Sequence, residues 1–303
     1  MPGPVLQTFQ LSKSYGPRLA VDGLDLAVEP GEIFGFPGPN GAGKTTTIRM
    51  ALGLIRPSAG RVEVLGKDVR RHRAEVLPRV GALVESPALY SYLNGRDNLR
   101  AVGNALGGVP RSRIDEVLEL VELAGRGDKV RAYSLGMKQR LGIAMALLND
   151  PELLILDEPA NGLDPQGVVD MRELLRRLAA AGKTVFISSH ILSEVQQVCS
   201  RVAILNLGRL VKVATISALT GAAGEFEVAV DEPARVLELL RAQGWGRDAR
   251  LEAGLLLTGS PTGRGRDLVR FLAAAGVWPD RVVERQRDLE DIFLDLTHAS
   301  EAS

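Results

Sequence analysis

Gly38-Pro39-Asn40-Gly41-Ala42-Gly43-Lys44-Thr45 is the stretch that decides the fold of this 303-residue chain. It fits the pattern G-x-x-x-x-G-K-[ST], and it lies where that pattern carries meaning, between a strand and a helix. The apolar run Ile33 to Phe36 enters it, and Ile48, Ala51, Leu52 and Ile55 leave it at helical spacing, with Pro57 and Gly60 as the expected stop. Gly41 and Gly43 allow the backbone to curl so that several N–H groups point inward at phosphate oxygens. The helix that follows adds the positive end of its dipole. Lys44 supplies a point charge for the β- and γ-phosphates, and the Thr45 hydroxyl is placed to ligate Mg²⁺. Pro37, just before the loop, donates no backbone hydrogen bond and lies outside the N–H groups that would hold phosphate. The loop specifies a nucleoside triphosphate; by itself it does not choose among kinases, GTPases and ATPases.

Outward from the loop, strand and helix patterns alternate. Leu24, Leu26 and Val28 read as a strand, as do Val62 and Val64. A helical stretch from about Leu93 to Leu148 carries two apolar stripes, Ile114-Val117-Leu118-Val121 and Met137-Leu141-Ala144-Leu148. Leu153 to Leu156, Val185 to Ile187 and Val202 to Leu205 are continuous apolar runs, expected of strands buried on both faces. Val168, Met171, Leu175 and Leu178 form a helix between the first two of these. The alternation predicts a largely parallel α/β sheet. At Gly221-Ala222-Ala223-Gly224 the composition shifts to a flexible link. Beyond it, strands at Phe226-Val228-Val230, Leu255 to Leu257 and Val282-Val283 alternate with helices at Val236-Leu237-Leu240 and Leu268-Phe271-Leu272. Asp288 opens a last helix with Leu289, Ile292, Phe293 and Leu296.

The segment Glu152 to Pro159, ELLILDEP, ends a buried strand in two acids. Asp157 is suited to hold Mg²⁺ directly or through water. Glu158 is suited to polarise an attacking water as general base. A solvated turn would explain one acid but not a fully apolar run closed by two.

Three further segments keep a fixed order around this pair: YSLGMKQR (Tyr133 to Arg140), ANGLDP (Ala160 to Pro165) and SSH (Ser188 to His190). Together with the phosphate loop they resemble the ATPase domain of ABC transporters, over roughly residues 5–215. The resemblance implies an α/β P-loop NTPase fold of ABC type in residues 1–220, with a helical subdomain at about 86–150, and a small C-terminal α+β domain of residues 221–303 as an accessory or regulatory part. It also implies site residues. Tyr15 matches the aromatic residue that stacks on adenine, and Gly38 to Thr46 (Gly38, Pro39, Asn40, Gly41, Ala42, Gly43, Lys44, Thr45 and Thr46) match the ATP-binding loop. Ser134, Gly136 and Met137 match the signature that meets ATP held by a second copy of the chain. Asp164 matches the D-loop residue linking the two sites, and His190 the switch histidine. The implied cofactors are ATP and Mg²⁺. The implied partners are a second copy in a head-to-tail ATP sandwich and an integral membrane permease, which would place the chain at the cytoplasmic face of the cell membrane.

Departures from the family spelling narrow the resemblance. The common signature LSGGQ is here Tyr133-Ser134-Leu135-Gly136-Met137, which keeps the serine and second glycine. Where the family places a glutamine facing the Mg²⁺ site and the membrane subunit, this chain has Glu85, followed by Ser86-Pro87. That glutamate, the SLGMKQR spelling and the ending LEDIFLDLT (Leu289 to Thr297) are similar to ATPases of bacitracin, lantibiotic-immunity and drug-export systems. Glu85 is expected to take part in coupling to the permease. Export of a drug, antibiotic or peptide is the leading expectation; an importer ATPase, or a soluble ABC ATPase acting on ribosomes or DNA, are the alternatives.

Bulk properties agree. Lys plus Arg equals Asp plus Glu at 37 each, which argues against a global nucleic-acid footprint. The local run Arg70-Arg71-His72-Arg73 reads as a solvated face or turn. The sole cysteine, Cys199, excludes an internal disulfide and reads as a small core hydrophobe. No apolar run approaches the ~20 residues of a spanning helix, and MPGPVLQTFQ lacks the regions of a signal peptide. A membrane role is therefore expected to come through a partner.

Overall fold

The computed structural model of the protein describes residues 3–220, 224–285 and 288–301, the side chains of 296–301 excepted. The link residues Gly221 to Ala223 lie outside the described residues, as does the side chain of Leu296. Contacts divide the chain into one unit of Met1–Ile216 with Phe293–Ser303, and a second of Ser217–Ile292. In chain order the elements of residues 3–220 are β1 (Leu6–Tyr15), β2 (Arg18–Val28), β3 (Ile33–Pro37), α1 (Lys44–Ala51), β4 (Ala59–Val64), β5 (Lys67–Asp68), α2 (Arg73–Val76), β6 (Val80–Leu83), α3 (Gly95–Ala105), α4 (Arg111–Leu120), α5 (Leu135–Leu147), β7 (Leu153–Asp157), α6 (Pro165–Ala180), β8 (Thr184–Ser189), α7 (Leu192–Val198), β9 (Arg201–Asn206), β10 (Arg209–Thr215) and α8 (Ile216–Thr220).

The continuous apolar runs become the middle of a sheet. β3, β7 and β8 are buried at every position and pair in parallel, in the order β10-β9-β3-β8-β7-β6, with β10 antiparallel at one edge. Phe186 on β8 stacks on Phe34 and packs against Phe36 of β3, with ring centroids 5.9 and 5.3 Å apart. Each such ring, removed from water, contributes on the order of 1.5–3 kcal/mol. A second, antiparallel sheet runs β2-β1-β4-β5. Ile48 and Met50 of α1 share one core with Leu11 and Leu24 of that sheet and with Phe34, Phe36 and Phe186 of the parallel one.

Three details differ from the sequence expectation. α1 stops at Ala51, one turn short of Ile55, because Gly53 takes φ +62. The Gly53 N–H then donates to the Met50 carbonyl (3.0 Å) and the Leu54 N–H to the Arg49 carbonyl (2.9 Å), the paired bonds of a Schellman stop. The helical stretch 93–148 divides into α3, α4 and α5. Gly107 and Gly108, both at positive φ, make the first break. Asn94 and Ser134 cap the helices that follow them, each accepting from an N–H three residues on. β1 pairs with both β2 and β4 although no alternation announces it. Its inward residues are Leu6, Thr8 and Leu11, since the ladder shifts register after Thr8 and Gln10 lies at φ +45.

The second unit is built of β11 (Phe226–Ala229), α9 (Pro233–Arg241), β12 (Arg250–Glu252), β13 (Leu255–Thr258), α10 (Gly265–Ala274) and β14 (Arg281–Glu284); α11 (Leu289–Glu301) follows, counted with the second unit to Ile292 and with the first from Phe293. The strand order β12-β13-β11-β14, antiparallel throughout, is the split βαβ arrangement. Phe226, Val228 and Leu256 of the sheet form its core with Val236 and Leu240 of α9 and Leu268 and Leu272 of α10. Asp288 accepts the Asp291 N–H at 2.8 Å and so begins α11 as its sequence suggests.

Candidate functional site

The central strands end on one side of the sheet, and their last residues meet the phosphate loop there. Pro37 closes β3, and the Gly38 N–H resumes the ladder by donating to the Ser189 carbonyl at 3.2 Å. The chain then curls through residues 39–43. Gly43 sits at φ +106, where an added Cβ would lie 2.5 Å from the Ala20 carbonyl, so no other residue fits. Among the described residues, the N–H groups of Gly41, Gly43, Lys44, Thr45 and Thr46 take no protein partner. They form a concave set of donors at the start of α1, which is what a chain of phosphates requires.

Lys44 is buried, 6% exposed, with Nζ donating to the Gly38 carbonyl at 2.6 Å. The same ammonium lies 3.1 Å from Oε1 of Glu158. The Thr45 hydroxyl donates to Oδ2 of Asp157 at 2.8 Å, and Oδ1 of Asp157 accepts from the buried Ser188 hydroxyl. Glu158 follows Asp157 at φ +51, and this left-handed step lets two adjacent acids border one space instead of opposite faces of the strand. The Glu158 N–H donates to the Ser188 hydroxyl at 3.0 Å. Oε2 of Glu158 accepts the His190 N–H at 3.1 Å and lies 2.7 Å from Nδ1 of His190. Lys44 and His190 therefore hold the two oxygens of Glu158 from two sides. Nearby, burial is the main cause that raises the Glu194 carboxyl above the ordinary glutamate range.

Of these residues Lys44, Thr45, Glu158 and His190 face a cavity of about 500 Å³ that also takes in Tyr15, Arg18, Asn40 and Asn161, with Asp157 and Ser188 behind its wall, bonded to Thr45 and Glu158. The Tyr15 ring is half exposed, with the Lys13 ammonium 5.0 Å from its centroid. Arg18, Asn161 and Ser188 belong to the site without a role having been read for them in the sequence. Asn161 and Ser188 stand inside quoted motifs, and Arg18 lies three residues past Tyr15, across a tight turn.

The other expected site residues do not line this cavity. Ser134 caps α5 and is exposed, its hydroxyl accepting the Met137 N–H at 3.2 Å, so the positive end of α5 faces outward. Leu135, in place of the family's glycine, is 47% exposed and lies against Gly162, and Gly136 lies near Leu163. Asp164 caps α6 by accepting the Gly167 N–H at 2.9 Å. Glu85, two residues past β6, is exposed at φ +62 and pairs with Arg49 of α1. Cys199 is buried, and burial pushes its thiol well above the usual range.

The described residues contain no cluster of three or more His, Cys, Asp or Glu side chains that could cage a metal. Thr45 Oγ1 and Asp157 Oδ2, 2.8 Å apart, are two hard oxygen donors beside the phosphate loop. Magnesium is held in this way, by one or two protein oxygens with water and phosphate completing its shell.

Comparison with known proteins agrees with this geometry. The sequence model described as ABC transporter matches residues 21–161. The bacitracin transport ATP-binding protein BcrA of Bacillus licheniformis is 40% identical over 296 residues, which cover 96% of this chain and 97% of that one. The daunorubicin resistance ATP-binding protein DrrA3 of Streptomyces coeruleorubidus is 39% identical over 297 residues, 94% of this chain and 93% of that one. Among solved structures, one described as the ATP-binding subunit of an ABC transporter superposes with a TM-score of 0.63 at 30% identity, over 71% of this chain and 91% of that one.

Proposed function

The chain belongs to the ABC transporter family as an ATP-binding, ATP-hydrolysing subunit, and from that premise we propose that it drives export of an antibiotic, drug or peptide through a separate membrane permease. One observation carries the catalytic reading: two adjacent carboxylates reach back to the phosphate loop, Asp157 onto Thr45 and Glu158 onto Lys44.

Tyr15 stacks on adenine, and the free N–H groups of Gly41 and of Gly43 to Thr46 take the phosphate oxygens. Thr45 and Asp157 would hold Mg²⁺, which when bound draws negative charge off the β- and γ-phosphates. Lys44 exchanges its ion pair with Glu158 for the incoming phosphates, which frees Glu158 Oε1 to accept a proton from water. That water attacks the γ-phosphorus, the bond to the bridging oxygen breaks, and the proton passes to Glu158 as ADP leaves with both bridging electrons. His190 keeps Glu158 oriented and lies within reach of the γ-phosphate.

The signature residues Ser134, Gly136 and Met137 would complete the site in trans: a second copy, turned head to tail, brings the start of its α5 to the γ-phosphate. Asp164 lies on the surface that such a copy would cover. An apolar groove of about 800 Å³, lined by Leu77, Val80, Val102, Leu106 and Met145, opens beside β6. It suits an apolar cytoplasmic segment of the permease, and Glu85 would couple that segment to the site. The export direction draws on the relatives named for bacitracin transport and daunorubicin resistance. The chain would then work at the cytoplasmic face of the membrane, its partner supplying the span.

Glu158→Gln tests the reading. The amide keeps the shape and loses the base, so turnover should fall about 10²–10⁴-fold while ATP stays bound. Light scattering should then show a dimer that forms with ATP and not with ADP. Undiminished turnover in the variant would reject Glu158 as the base. For the export direction, cells lacking the chain should accumulate the antibiotic to which they become sensitive.

A further inference from the structure

The run Arg70-Arg71-His72-Arg73 is exposed, as its sequence suggests, but it does not stand alone. Arg56, past the Schellman stop of α1, and Arg61, on β4, line one hollow of about 510 Å³ with Arg70, Arg71 and Arg73. Arg61 is engaged, its guanidinium 3.8 Å from the Phe9 ring centroid and its Nε donating to Glu63 at 3.0 Å. The side chains of Arg56, Arg70, Arg71 and Arg73 make no ion pair or hydrogen bond with any described residue. Asp68, the one acid on the wall, accepts the N–H groups of Arg70 and Arg71 at 2.8 and 3.2 Å.

With Arg61 matched by Glu63, four arginines without an ion pair crowd around one aspartate, and like charges brought together repel. Elsewhere in this electrically balanced chain, arginines such as Arg79, Arg201 and Arg250 each meet a glutamate. An anion would relieve the crowding. Planar guanidinium forks match phosphate oxygens two by two, which a flat solvated face of lysines would not do. Arg73 also lines the apolar groove of Leu77, Val80 and Met145, so hollow and groove share a rim.

We infer that this hollow binds phosphate-bearing anions and that anionic lipid headgroups of the bilayer around the permease fill it. The bilayer as source rests on the permease reading of the neighbouring groove; the phosphate chemistry does not.

The test uses the full chain without permease, floated with vesicles of phosphatidylcholine alone or mixed with phosphatidylglycerol. The chain should partition to the mixed vesicles only, and less so as salt rises. Arg70→Ala and Arg71→Ala should each weaken that partition roughly fivefold, from about 1 kcal/mol per surface arginine. ATP affinity, measured in the same samples, should stay unchanged and so report that the variants are folded. Arg111→Ala and Arg126→Ala, the same charge change elsewhere on the surface, should lose much less. Equal loss in those controls, or equal binding to both vesicle types, would overturn the inference. Release from the vesicles by glycerol phosphate at millimolar concentration would assign the hollow to a soluble phosphate and overturn the bilayer source. If the arginine variants failed to bind purified permease in detergent while vesicle partition held, the occupant would be protein and the lipid assignment would fall. Loss of permease binding in the unaltered chain would instead strike the groove reading and leave the phosphate arm standing.

Discussion

At the scale of single residues, the site is an arrangement of charges that neutralise one another until a phosphate chain competes for them. Lys44 is satisfied by the Gly38 carbonyl and Glu158, and Glu158 by Lys44 and His190. Arg18 is the exception. It lies on the cavity wall without a described ion pair, one guanidinium nitrogen 3.6 Å from where a Cβ on Gly41 would be. Its charge is therefore available to the phosphates that the loop holds. In water-like surroundings such a contact is worth about 1 kcal/mol at 4 Å, and salt screens it. Arg18→Ala should weaken ATP binding roughly fivefold at low salt, with the loss shrinking at high salt and Arg18→Lys recovering most of it. Titration calorimetry at two salt concentrations checks this, and a salt-independent loss would mean that Arg18 shapes the loop instead of charging it. Arg18 was not legible beforehand because its meaning is spatial. The turn at Gly16-Pro17 and the pairing of Tyr15 with Arg18 carry it to the phosphate loop, and neither belongs to the loop's own pattern. Lys44, Thr45, Asp157 and Glu158 were legible because their chemistry fixes both residue type and spacing.

At the scale of elements, chain punctuation decides how the loop is held. α1 has only its residues 44–51 in which to turn from the phosphates to the core, and its end is set by the Schellman bonds at Gly53. An added Cβ at Gly53 would meet nothing nearer than 3.9 Å, so substitution there costs backbone strain and not packing. Gly53→Ala should destabilise the protein by about 1–2 kcal/mol, the cost of a left-handed residue with a Cβ, while leaving ATP affinity unchanged. Urea unfolding measures the first and nucleotide titration the second; an unchanged midpoint would show that the stop does not depend on glycine. The sequence had pointed past Gly53 to Pro57 because Leu52 and Ile55 continue the apolar spacing, and spacing alone does not register a φ that only glycine takes cheaply. β1 escaped notice for a related reason. A bulge at Gln10 moves its inward residues from even to odd positions, which erases the period on which strand reading relies. The central strands β3, β7 and β8 suffered no such loss, since a strand buried on both faces needs only an unbroken apolar run.

At the scale of the whole molecule, the question is how a site lined by none of its expected signature residues hydrolyses ATP. The cavity that holds Lys44 and Glu158 is not lined by Ser134, Gly136 or Asp164, though all three are described. Ser134 caps α5 through the Met137 N–H, yet this helix start is exposed and the N–H groups of Leu135 and Gly136 keep no partner among the described residues. The two halves fit if one copy offers the loop and another offers the helix start, and the single native cysteine makes this testable. Cys199 is buried and its thiol is pushed up by that burial, so it should stay silent towards oxidants in the folded protein. Asn40 and Ser134 are both exposed and can carry new thiols. In chains that also bear Glu158→Gln, Asn40→Cys on one copy and Ser134→Cys on another should form a disulfide on mild oxidation only when ATP is present. Neither variant should pair with itself, because a head-to-tail arrangement brings loop to helix start and never like to like. Gel electrophoresis without reductant reads the result directly. Self-pairing of the Ser134→Cys chain, or cross-linking indifferent to ATP, would mean that the copies meet through another face and that the outward start of α5 serves something other than the neighbour's γ-phosphate.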